Sequence, residues 1–587
     1  MLSNKYRHRV IILWGCFFGL IIAWTVWQCH NNFLITIGDT FFHDNRVYEI
    51  RYAFLHHEFP NWLNFQTFMH AGQAINGMYP DITLWPLVLI TLPFSPIHQL
   101  ICLRSLIVII GFLATFITFK HEGYGSYVSS MVAVMYCLSG YILYCAYYDF
   151  QPGAVVMVMF AFPLFFVGRR ILRSSRVEWR EAIKFGLLSV LVLYSHFLSV
   201  IILITFIVGS LLWKLCHETL KSTMVSLYSY VISGVLTLIL GLPVFERYLA
   251  IQSSHILAPF GKGNVTGEPL MSLITGASWA SRIYFPIISL ILMALVCVFL
   301  NKDKLTKMTP LFYALGILCI GCSDIAPWQF LNKIPFVMDI QFGPWRFGPL
   351  LGVIPILLFV INFSGEKRRR LLEVLMVLTF VCAFGTVTNY SRQSEHAPRD
   401  NGQLRVNQPV KMMNGGIGKD NVNAGKVVNT LLPDYAPAAV GTNGINGTMP
   451  SEYGQEILMN NYCLVNGKLN SRVKAKKIAV NNGIKLTLYS PGKGEVQLPI
   501  YGYKKLHYDV YVNGKHVPYW ITTKGFIATH ISKPVHEKIE IMVMHYNPML
   551  YTYLLLMAGG LYVTFMCILV GMYFVERRKT FGESETC

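Results

Sequence analysis

The sequence predicts a polytopic α-helical membrane protein with about twelve transmembrane helices and a β-rich domain inserted on the non-cytoplasmic side before the last helix. Composition, apolar periodicity and one long polar insertion carry that prediction. Of 587 residues, 54% are hydrophobic and 13% charged. A soluble domain carries about 25% charge, so too little polar surface remains to keep this chain in water. Mean hydropathy is +0.46, and a bilayer is the matching solvent.

Apolar runs place spans at roughly 10–28, 98–119, 124–145, 153–168, 183–196, 197–213, 224–243, 283–300, 309–321, 347–363, 371–388 and 550–575. Lys5, Arg7 and Arg9 precede the run Val10 to Trp27. That start resembles a signal peptide, but no small-x-small cleavage site follows it, so it reads as an uncleaved first span. The stretch 183–213 is too long for one helix. Ser195 and His196 at its middle predict a tight outer turn between two short ones.

The net charge of +19 would ordinarily suggest nucleic acid or an anionic surface. Its distribution argues against nucleic acid. The basic residues cluster in short loops: Lys5, Arg7 and Arg9; Lys120; Arg169, Arg170, Arg173, Arg176 and Arg180; Lys214 and Lys221; Lys302, Lys304 and Lys307; Lys367 to Arg370; Arg577 to Lys579. With the spans above, all of them fall on one side, as the positive-inside rule requires. Both termini are then cytoplasmic. The segment 82–97 contains Pro86, Pro93 and Pro96. Counted as a span it would invert every later loop, so it is expected to be re-entrant or interfacial, beside a cavity.

Thirteen cysteines are present, mostly in apolar runs, and the single C-x-x-C, Cys319 to Cys322, lies at the end of such a run and frames no metal site. No disulfide framework or zinc signature is expected. The expected organisation is a transmembrane domain over 1–388 with outer loop 1 at 30–97, a linker over 389–470, a β-sandwich-like domain over 471–549, and a last helix with a tail over 550–587. Residues 506–520 alternate on either side of Asn513-Gly514, a strong hairpin signal. Further alternating runs lie at 483–490, 494–501 and 538–545. A basic bias (Arg472, Lys474, Lys476, Lys477, Lys504, Lys505) fits a solvated face, or contact with anionic head groups or an anionic polymer.

Outer loop 1 contains Asp39, His43 and Arg46 at spacing i, i+4, i+7, with Asp44 among them. On a helix the three share a face. A carboxylate serves as general base or metal ligand, and arginine holds phosphate with two hydrogen bonds. The same spacing also fits a polar helix with local ion pairs. Asp149, His196, Glu246 and Arg346 fall at the outer ends of other spans. Ionisable groups at that depth are costly without partners and are therefore functional candidates. No internal repeat with paired broken helices appears, which argues against a transporter.

These residues resemble a known pattern. It comprises Gly38-Asp39 with His43 and Arg46, then Glu58 to Trp62 and Gly72 to Tyr79; Tyr194 to Ser199; Ile340-Gln341-Phe342 with Pro344 to Phe347; and Asp434 to Pro437 before a β-domain and a final span. The chain is similar to bacterial membrane proteins labelled 6-pyruvoyl-tetrahydropterin synthase-related and their YfhO-like relatives, at the border of the GT-C glycosyltransferases. Gly343 interrupts a Gln-Phe-Pro-Trp-Arg run, and Asp434 stands where the family more often has Glu. The resemblance implies a multi-pass protein of the bacterial cell membrane that moves a sugar from a polyprenyl-phosphate donor to a cell-envelope polymer at the outer leaflet. Asp39 would be the catalytic base or metal ligand, with or without Mg or Mn. His43 and Asp44 would stand beside it. Arg346 would hold the donor phosphate, and Arg46, His196, Asp149 and Glu246 would line the substrate site. A competing expectation is a non-catalytic lipid- or polymer-binding subunit of envelope polysaccharide assembly.

Overall fold

The computed structural model describes residues 4–31, 33–36, 39–138, 140–257, 266–279, 284–331, 333–334, 346–396, 415–418, 433–443, 449–468, 471–489, 492–532 and 538–584. Among these described residues seven helices are long and apolar enough to cross a bilayer: Tyr6–Asn31, Pro96–His121, Phe197–His217, Leu220–Leu240, Lys302–Cys322, Gly365–Tyr390 and Met549–Val575. An eighth results if the bent pair Ser126–Cys137 and Gly140–Tyr148 is one span. The chain is therefore a multi-pass membrane protein. The other four expected spans fall on shorter helices: Pro152–Met159 with Ala161–Arg173, Trp179–Leu193, Ile287–Val298 and Gly348–Asn362. The longest of these have 15 residues. That gives about 22 Å at ~1.5 Å per residue, against about 30 Å of hydrocarbon.

The predicted break at Ser195-His196 is present. One helix ends at Leu193 and the next begins at Phe197, with His196 in extended backbone between them. Segment 82–97 forms an eight-residue helix, Leu84–Thr91, followed by a turn into the Pro96–His121 helix. Several basic clusters meet at one end of the bundle. Arg9 pairs with Glu373 at 2.6 Å, Arg170 pairs with Glu122 and Glu181, Arg368 lies 4.9 Å over the Tyr124 ring, and Arg369 donates to the Tyr6 hydroxyl.

Strand β1 (Phe33–Thr36) pairs antiparallel with β2 (Gly415–Gly418), and a two-residue pair, β3 (Thr442–Asn443) with β4 (Met449–Pro450), follows. Beyond it come β5 (Tyr462–Val465), β6 (Arg472–Lys474), β7 (Lys476–Val480), β8 (Gly483–Tyr489), β9 (Gly494–Tyr501), β10 (Asp509–Val512), β11 (Lys515–Val517), β12 (Tyr519–Ile521), β13 (Phe526–Ile531) and β14 (Lys538–Met544). They form two five-stranded sheets, ordered β11-β10-β14-β8-β7 and β12-β13-β9-β5-β6. Alternate residues such as Ile484, Leu486 and Leu488 face Val496, Leu498 and Ile500 in one core, as a sandwich requires. The Asn513-Gly514 turn has φ of 49° and 77°, the left-handed pair that a two-residue hairpin needs. The domain begins earlier than residue 471, because β5 pairs with both β6 and β9.

The sandwich is stitched to outer loop 1. Asn61 Nδ2 donates to the Asn482 side chain at 3.0 Å and to the His545 carbonyl at 2.7 Å, and Asn61 Oδ1 lies 2.9 Å from His545 Nδ1. The Trp62 N–H donates to Asn547, the Tyr501 N–H to the Ala71 carbonyl, and the Ala74 N–H to the Tyr503 hydroxyl. Burial, with help from the charge of Lys477, pushes the His70 imidazole down to about 4. Burial with His507 nearby pushes His545 down to about 3.

Both imidazoles stay neutral in the fold while the unfolded chain takes up protons below about pH 6.5. Their contribution to stability is thus complete above that pH and is lost as pH falls towards 3–4. The full-length protein in lipid nanodiscs should melt lower at pH 4 than at 6.5. Over that range the two histidines together should cost it about 5 kcal/mol, partly offset by Glu49, whose carboxyl is raised to about 7 by burial and so works the other way. His545→Gln should flatten part of that fall. A pH profile identical to wild type would remove the imidazole as the cause.

Candidate functional site

The Thr40–Leu55 helix starts directly after Asp39, which occupies the N-cap. Aspartate is favoured there because its side chain can accept from the first free N–H groups, yet the Asp39 side chain makes no capping bond. Its carboxylate turns instead towards Gln151 Nε2 at 3.4 Å. The same amide donates to Asp149 Oδ2 at 2.9 Å, and Asp149 Oδ1 accepts the Asp39 N–H at 2.9 Å. The Phe150 N–H donates to Thr40 Oγ1 at 2.8 Å. Two carboxylates 110 residues apart in sequence are thus zipped together, with Asp149 buried and Asp39 half-exposed. A π-helical turn, Tyr144–Tyr148, delivers Asp149; such turns are frequent at functional sites.

Two helical turns on, Arg46 is fully buried. Its Nη1 lies 3.1 Å from His43 Nδ1, and its Nη2 donates to the carbonyls of Tyr79 and Pro80 at 3.0 and 2.9 Å. The guanidinium sits 4.2 Å over the Tyr79 ring. That ring also meets His43 at 5.3 Å and His196 at 5.5 Å. His196 in turn bonds the Ser199 hydroxyl at 2.8 Å. Burial pulls the Arg46 pKa down, and the charge of Asp81 opposes it.

Tyr435 completes the group. Burial and the Asp434 carboxylate raise its hydroxyl, while Arg46 and Arg346 both draw it back, so Arg346 reaches the same neighbourhood. Residues 340–345 lie outside the described residues. The Tyr503 hydroxyl donates to the Tyr435 carbonyl at 2.8 Å, and Gln73 Nε2 donates to the Asp434 carbonyl.

Asp44 and Glu246 take other places. Both Asp44 oxygens lie 3.1 Å from Arg104 Nη2 on the Pro96–His121 helix, with both side chains buried. That carboxylate is occupied by an ion pair. Glu246 is half-buried beside Arg247, and burial raises its carboxyl to about 7. Arg247 donates to Asp81 Oδ1 at 2.9 Å, and the Trp85 indole holds Asp81 Oδ2 at 3.2 Å. Sequence reading missed Gln151, Tyr79, Arg104 and the Asp81–Arg247 pair. Their only sequence signal is an ionisable or amide side chain next to apolar residues.

Among the described residues no group of three or more His, Cys, Asp or Glu is arranged to hold a metal ion. Asp39 and Asp149 do form a two-carboxylate pair, the protein share that Mg²⁺ commonly takes alongside water and phosphate. No family model, characterised protein or solved structure matches the chain.

Asp44→Ala should destabilise the protein by about 3–5 kcal/mol, because it strands a buried guanidinium. The double variant Asp44→Leu with Arg104→Met should recover much of that loss. Thermal unfolding of the three proteins decides the matter: a harmless Asp44→Ala would return Asp44 to the list of reactive groups.

Proposed function

We propose that this chain is a GT-C-like glycosyltransferase of a bacterial cell membrane, with about twelve spans and both termini cytoplasmic. It would move a sugar from a polyprenyl-phosphate donor to a cell-envelope polymer on the outer face. The observation that carries this reading is the convergence of four sequence-distant features, through Arg46, His196, Arg346 and Tyr435, beside the Asp39–Asp149 pair. The basic clusters gather at one end of the bundle, which supports assigning that end to the cytoplasm.

In this reading Asp39 accepts the proton of the acceptor hydroxyl as its oxygen attacks the anomeric carbon from the face opposite the phosphate, giving inversion. Asp149 and Gln151 fix the carboxylate's direction. Arg346 and Arg46 stabilise the negative charge that develops on the departing polyprenyl phosphate, and His43 and His196 line the sugar's approach. Mg²⁺ or Mn²⁺, if bound, would sit on Asp39 and Asp149 and supply charge neutralisation. Asp44 would act through Arg104 as structural support, and Glu246 would belong to the neighbouring Arg247 group.

The test is transfer from a panel of polyprenyl-phosphate sugars by purified wild type, Asp39→Asn, Asp149→Asn and Arg346→Ala. Asp39→Asn should lose roughly 100-fold or more, and Arg346→Ala a comparable factor, with melting unchanged. Full transfer by Asp39→Asn would sink the mechanism. No transfer by folded, lipid-loaded wild type from any donor would favour the non-catalytic assembly subunit.

A further inference from the structure

The first helix, Asn4–Asn31, packs antiparallel against the Pro96–His121 helix, and side-chain contacts fix their register. Trp14 meets Phe116 at 5.1 Å, Phe17 stacks on Phe112 at 4.5 Å, and Thr25 Oγ1 meets Ser105 Oγ at 2.6 Å. At the far end His98 Nε2 lies 3.1 Å from the Cys29 carbonyl. Thr25 and Ser105 have short side chains and still touch, so the two backbones run close together there. One turn further on, four residues after Thr25 and three before Ser105, Cys29 and Cys102 face each other. Each thiol is close enough to act on the other's ionisation. Both are half-buried free thiols, reachable by a small reagent. The helix register, fixed on both sides by Thr25–Ser105 and Cys29–His98, therefore sets these two thiols opposite each other.

We propose that Cys29 and Cys102 are a disulfide-forming pair that locks the first helix to the Pro96–His121 helix at the end where the candidate site is built. Cys29 lies four residues before β1, which leads to Asp39, and Cys102 lies two residues before Arg104, which holds Asp44. A bond there fixes both supports of the Asp39 segment. The chemistry is exchange with a disulfide oxidant. One cysteine thiolate attacks a sulfur of the oxidant, releasing one thiol and leaving a mixed disulfide. The second cysteine displaces the remaining half as a second thiol. The protein loses two protons and two electrons, and the oxidant disulfide is reduced to two thiols. The geometry of the pair is independent of the proposed activity. Only its exposure to an oxidising compartment rests on the outer-face assignment made there.

The experiment uses purified full-length protein treated with oxidised glutathione, blocked with iodoacetamide and proteolysed without reduction. Mass spectrometry should find a Cys29–Cys102 linked peptide that disappears with dithiothreitol. In Cys102→Ser the second displacement is impossible, so Cys29 should accumulate as its glutathione adduct. Oxidised wild type should melt above reduced wild type, while Cys29→Ser and Cys102→Ser show no such difference and melt like the reduced protein. Recovery of both cysteines alkylated, stable glutathione adducts on both in wild type, or Cys29 joined to a different cysteine would each overturn the proposal. None of these readouts depends on sugar transfer, so failure here and failure of the glycosyltransferase reading are distinguishable.

Discussion

Residues 56–81 of outer loop 1 contain only short helical turns, yet residues 60–65 and 71–77 are buried. A buried irregular backbone must find a partner for each N–H and C=O, and here the sandwich supplies many of them. Asn547 and Tyr503 offer side chains, Tyr501 offers its N–H, and the Val480 carbonyl takes the side-chain amide of Gln66. Lys477 Nζ bonds the carbonyls of Met69 and Pro499 at 3.0 and 2.7 Å, and burial pushes its ammonium down to about 7. Glu49 accepts from the N–H groups of Phe65 and Gln66 and from the Thr67 hydroxyl, while burial raises it to about 7. Between these supports Phe68, Met69 and His70 hold φ of 52°, 61° and 53°. At about 1–2 kcal/mol per residue, such a turn persists only when its surroundings dictate it. Outer loop 1 thus depends on the sandwich for its shape.

The buried arginines divide by partner. Arg104 has Asp44 and Arg247 has Asp81; each pair closes a contact between segments, and losing one member would strand the other. Arg46 is built differently. It bonds two carbonyls and an imidazole and covers an aromatic ring. Carbonyl dipoles offset less charge than a carboxylate in direct contact, and the charge of Asp81 acts on Arg46 from outside its hydrogen-bonded shell.

Local signals in the sequence were reliable. The Asn513-Gly514 hairpin, the strands at 483–489, 494–501 and 538–544, and the shared face of His43 and Arg46 all follow from patterns a few residues long. Long-range pairing was invisible. Asp44 and Arg104 are 60 residues apart and Asp81 and Arg247 are 166 apart, and nothing in either neighbourhood encodes the partner. Asp44 looked reactive because its helix neighbours are polar, while the group that occupies it stands on another helix. Strand β5, four residues long and flanked by Asn and Gly, carries too little alternation to separate it from the linker. It becomes a strand through its neighbours β6 and β9.

Four of the candidate residues share one local feature: each stands where regular helix stops. Asp39 precedes a helix, Asp149 follows a π-helical turn, His196 separates two helices, and Arg346 comes two residues before another begins. Helix ends leave N–H and C=O groups without intrahelical partners, and hydrocarbon offers none. Such breaks are tolerated only where protein or water can answer them. The Asp39 and Phe150 N–H groups are answered by Asp149 and Thr40 side chains, so the breaks satisfy one another. Gathering the interruptions of several helices in one place therefore does two things at once. It removes the cost each would carry alone, and it lines one region with oriented polar groups and carboxylates at the edge of an otherwise apolar bundle. Polar chemistry at that end is a consequence of how the helices are terminated.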